Sequence, residues 1–136
     1  MSFKETLPEQ CPPSDASDSE LNGVVRFLPF KPANNPKNYD SYAELGRDSR
    51  NASKCDARSL SLWDITSAKK VVAAKKMAFL KKLELSLLNI PQGSGMNIIK
   101  SSGHIDFWMY SNFDPTSNVT SVLKNVDELK QVWTNA

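Results

Sequence analysis

His104-Ile105-Asp106-Phe107-Trp108-Met109-Tyr110 alternates between two classes of side chain. Along an extended strand, successive side chains point to opposite faces. Ile105, Phe107 and Met109 then share an apolar face suited to a core, while His104, Asp106, Trp108 and Tyr110 share a polar and aromatic one. Upstream, Ser101-Ser102-Gly103 reads as a turn, and the β-like run 96–100 before it predicts an antiparallel hairpin. Gln92-Gly93-Ser94-Gly95 reads as a second turn, too short for a Walker loop and without its Gly-Lys-Ser/Thr ending.

Further out, Ser59-Leu60-Ser61-Leu62-Trp63 alternates small polar with large apolar residues, the pattern of a half-buried strand. Residues 23–30 form a β-branched and aromatic run, with Pro29 marking an edge or exit. The run 85–90 either prolongs a preceding helix or forms a strand, and the turn after it favours the strand. Asp64 is a good N-cap, and Ile65, Ala68, Val72, Phe79 and Leu83 fall on one stripe at helical spacing, which predicts a helix over 65–83. Val122, Val126, Leu129 and Trp133 repeat that spacing and predict a second helix over 120–134. The expected fold class is therefore α+β: a small, mainly antiparallel sheet from 23–30, 59–63, 85–90, 96–100 and 104–110, with one long lysine-rich amphipathic helix and a C-terminal helix.

The length of 136 residues suits one domain, and 40% hydrophobic with 24% charged residues excludes a wholly disordered or fibrous chain. Residues 1–22 carry five acids against Lys4, a charge of −4, and residues 23–136 carry 16 basic and 10 acidic side chains, or +6. The segment 1–21, with Pro8, Pro12 and Pro13, holds too little apolar surface to offset its ordering entropy. It is expected to be a flexible or loosely docked acidic tail ahead of a single domain over 22–136. No export signal is evident at the start, so the expected compartment is the cytoplasm. Cys11 and Cys55 are then expected to be free thiols, and the sequons at Asn51 and Asn118 to be coincidences.

No cofactor motif, metal-ligand spacing or catalytic signature occurs. Ser102, His104 and Asp106 would share one strand face, but same-face neighbours stand roughly 6.5–7 Å apart, too far for a nucleophile and its base. The polar-aromatic face is the better binding candidate, through Trp108, Tyr110, His104 and Asp106. The irregular stretch 31–58 adds Arg47, Arg50 and Arg58. The expectation is a small binding or regulatory protein, of the kind that serves as a bacterial or phage accessory, acting on another protein without catalysis, cofactor, metal or membrane. Two alternatives stand beside it. One is nucleic-acid binding through Lys69, Lys70, Lys75, Lys76, Lys81 and Lys82. The other is a small hydrolase or transferase using His104, Asp106 and a polar partner from 31–58.

Overall fold

A computed structural model describes residues 2–47, 54–72 and 75–129, with backbone only at 75–78. Six strands form one sheet: β1 (Leu21–Leu28), β2 (Leu60–Asp64), β3 (Glu84–Ile90), β4 (Gly95–Ile99), β5 (His104–Met109) and β6 (Val119–Leu123). Their spatial order is β4-β5-β2-β1-β3-β6, and every neighbouring pair is antiparallel. Leu60, Leu62, Ile105 and Phe107 pack with Val24, Leu28 and Tyr39 on one face. Val25, Phe27, Leu85 and Leu87 pack with Ala68, Val72 and Leu129 on the other. Because both faces of β3 are covered, Leu85, Ser86, Leu87 and Leu88 are all buried, and the segment loses the alternation that marks a one-sided strand.

Among the described residues the fold is thus a six-stranded antiparallel sheet with one α-helix of seven residues, which corrects the expected pairing of a long lysine-rich helix with a C-terminal helix. Helix α1 (Ile65–Val71) starts where expected, with Asp64 Oδ1 accepting from the Ser67 amide at 2.7 Å. It ends at Val71, and Lys75–Lys82 form a 3-10 segment. Two facts account for the break. The lysine pairs at 69–70, 75–76 and 81–82 crowd like charges along any continuous helix. The apolar stripe also fails at Phe79, which is 60% exposed while Leu80 is buried. Over the described part of the predicted helix 120–134, residues up to 128 form instead β6 and a 3-10 turn, Val126–Glu128. Val122 would face the core in that helix, yet β6 leaves it 50% exposed while Val126 and Leu129 are buried. Residues 130–136, including Trp133, lie outside the described residues.

The N-terminal segment lies against the sheet. Cys11 and Cys55 form a disulfide across a separation of 44 residues, which corrects the expectation of two free thiols. That expectation rested on compartment, whereas the pairing is made by two irregular segments that meet beside β5. Ser17 bridges Asn97 on the outer side of β4, with both backbone N–H groups donating to the opposite carbonyl, and Phe3 bridges Tyr110. Glu5 is ion-paired with Arg58 at 3.3 Å, and burial holds its carboxyl above the usual range. On the far side, no described residue forms a strand against the outer edge of β6. No described helix is long and apolar enough to cross a membrane.

Candidate functional site

The pairing of β2 with β5 sets Ser61 opposite Asp106 and Trp63 opposite His104. With Leu60, Leu62, Ile105 and Phe107 committed to the core, Ser61, Trp63, His104 and Asp106 share the other face. On the diagonal, the Ser61 hydroxyl meets Nε2 of His104 in a hydrogen bond. On the other side of the ring, Nδ1 of His104 stands 3.3 Å from Oδ1 of Asp106, whose second oxygen receives Lys100 Nζ at 3.0 Å. The side chains of His104 and Asp106 lean together, so the backbone spacing along one strand does not keep them apart. Trp63 fixes the imidazole from a third side, edge-on with ring centroids 4.7 Å apart.

Burial holds the His104 pKa below its ordinary value; Asp106 pulls it up and Lys100 pushes it further down. A neutral ring that carries its proton on Nδ1, the nitrogen beside the carboxylate, has the Nε2 lone pair facing the serine hydroxyl. That is the relation of a general base to a nucleophile and to the group that orients the base.

Ser61 and His104 line a cavity of about 170 Å³. Trp63, Phe27, Leu80 and Leu83 supply apolar wall, Tyr42 and Phe79 stand on it as exposed aromatics, and Arg26 and Arg47 bring two cations. The β1–β2 ladder stops at Val25↔Trp63. One residue on, Arg26 takes over its role, donating from Nη1 to the Ser61 carbonyl at 3.1 Å and from Nε to the Asn38 carbonyl at 2.8 Å. Burial lowers the Arg26 pKa to about 10, so the guanidinium stays charged near neutral pH. Asn38, wholly buried, holds the neighbouring turn through Phe30, Pro32 and Ala33.

The residues expected to form a site are dispersed. Trp108 is 2% exposed and gives its indole N–H to the Cys55 carbonyl, so it is a packing residue in this fold. Tyr110 is half-buried against Phe3. Arg47 lies over the Phe30 ring, 4.8 Å from its centroid, and reaches the His104 cavity; Arg58 serves Glu5; Arg50 lies outside the described residues. Lys69 and Lys70 belong to the end of α1, whereas Lys81 and Lys82 end a separate 3-10 segment. Lys75 and Lys76 are described by backbone alone, and the six lysines do not share one helix. Ser102, the serine considered from sequence, only accepts from the His104 amide. Sequence reading missed Ser61, Arg26 and Trp63 as site residues. The alternation in 59–63 puts Ser61 and Trp63 on one face, but only the β2–β5 register shows which residues they meet.

Among the described residues, no three His, Cys, Asp or Glu side chains gather as a metal site. No protein-family model matches the chain, and no curated protein or solved structure matches it.

Proposed function

We propose that the protein works by association, and that its cavity takes one apolar side chain of an acidic segment on a partner protein. The observation that carries this is the cavity rim: Tyr42 and Phe79 are 57% and 60% exposed, and both border a space that also holds Arg47 and the Trp63 ring. Aromatic and arginine side chains around a desolvating pocket carry most of the energy of protein recognition. At about 170 Å³ the space is below the usual range for a drug-sized ligand or cofactor and matches a single large side chain. Arg26, Arg47 and the +6 balance of residues 23–136 select acidic neighbours for that anchor. The disulfide supports an oxidising compartment as the place of action, in preference to the cytoplasm expected from sequence.

Calorimetric titration with three short peptides tests the reading: one with phenylalanine between glutamates, one with alanine in its place, and one with lysines replacing the glutamates. The first should bind at least tenfold tighter than the others, and Phe79→Ala or Arg47→Ala should weaken it. Equal affinities would remove the proposal. Tighter binding of an oligonucleotide, with a steep salt dependence, would return the lysine-based reading.

A further inference from the structure

We propose that Ser61 is a nucleophile, and that this site takes the acyl group of a small carboxylic ester and passes it to water. The inference builds on the cavity's being open to ligand, as the association reading also requires, but it concerns a separate property of the wall. Ser61, His104 and Asp106 stand in the order hydroxyl, Nε2, Nδ1, carboxylate. They come from two strands whose register is set by four consecutive pairs, so the geometry rests on the sheet and not on a loop.

The serine and the histidine both border the cavity, which places a bound carbonyl beside the hydroxyl. A structural polar ladder on a sheet surface has no need of an apolar-walled space at its hydroxyl end. Lys100 and the sheet hold Asp106, whose side chain is 8% exposed, so the carboxylate is fixed as an orienting group.

The chemistry balances with water as the only co-reactant. The Ser61 oxygen bonds to the ester carbonyl carbon as its proton passes to Nε2 of His104. The tetrahedral oxyanion forms in a cavity that carries the Arg26 and Arg47 cations. The carbon–oxygen bond to the alcohol then breaks, and the alcohol leaves with the proton from His104. Water attacks the acyl-serine, His104 takes its proton and returns it to Ser61, and the free acid departs. The cavity size favours short aliphatic or simple aromatic acyl groups.

The experiment treats the intact, disulfide-bonded chain with a fluorophosphonate and maps the modified peptide by mass spectrometry, alongside hydrolysis of p-nitrophenyl acetate and butyrate. The expected result is one phosphonyl group, on Ser61, absent in Ser61→Ala. Ester hydrolysis should fall by about 100-fold or more in Ser61→Ala and in His104→Ala. Asp106→Asn, as a positioning change, should lower kcat and alter the pH profile while leaving KM nearly unchanged. Labelling elsewhere, no labelling of the folded chain, or hydrolysis indifferent to Ser61→Ala would each overturn the proposal. If Ser61→Ala fails to fold, the mapped label on the unmodified chain decides alone. Peptide binding that survives in Ser61→Ala, with or without esterase activity in the parent, separates this inference from the association reading.

Discussion

The indole N–H of Trp108 donates to the carbonyl oxygen of Cys55 at 2.8 Å. A fully buried side chain of β5 is thereby tied to one half of the cystine, and the cystine ties that strand to the N-terminal segment.

Reduction of the disulfide should therefore be felt in the sheet itself. Releasing a loop of 44 residues costs about 4 kcal/mol in the chain-entropy description. Thermal melts with and without reductant should differ by about 10 °C or more. A difference of a degree or two would mean that the Trp108 contact and the strand bridges hold the segment unaided.

Removing residues 1–21 should destabilise the domain more than reduction does. The deletion takes away Cys11, the Ser17–Asn97 bridge and the Glu5–Arg58 pair together. Composition alone leads to the opposite expectation, that a chain starting at Asn22 melts within a few degrees of the full chain. Parallel melts of the truncated chain and the reduced full chain decide between the two.

Val72 and Phe79 fall on the same stripe of an ideal helix and should part company when changed to aspartate. Val72 is 5% exposed beneath the sheet, so Val72→Asp should cost several kcal/mol and unfold the chain. Phe79, on the cavity rim, should tolerate aspartate within about 0.5 kcal/mol of the parent in urea denaturation. Equal damage from both would restore a continuous helix through 83.

Acid should weaken the fold through His104. Its folded pKa lies below the unfolded value, so the folded state binds fewer protons in that interval. The contribution is fully present above about pH 6.5 and is lost as pH falls through the folded pKa. Glu5 acts in the opposite direction, its raised pKa favouring the fold on the acid side. The difference between the parent and His104→Gln isolates the histidine: the variant should lose less stability between pH 7 and pH 5.

The sheet and its site were legible in the sequence to different degrees. Alternation reveals β5 because Ile105 and Phe107 face a core while His104 does not. The same test is ambiguous for β3, whose faces are both covered. It fails for the lysine-rich stretch, where a helical stripe is satisfied on paper by Phe79 and denied by packing. Ser61 and His104 are 43 residues apart and meet only because β2, paired with β1 on one side, pairs with the distant β5 on the other. Arg26 carries no local pattern at all; its role arises where the β1–β2 ladder stops.

The two borders of the sheet are unlike. Beside β4, the segment around Ser17 already occupies backbone groups of Asn97, whereas β6 presents Val119–Leu123 with Val122 half exposed. Were such a sheet to grow by strand addition at β6, the borders left outside would be the two β4 strands, where Ser17 already takes the backbone groups of Asn97. An asymmetric end-stop of this kind would favour a pair over a fibre, and it would be lost with the N-terminal segment.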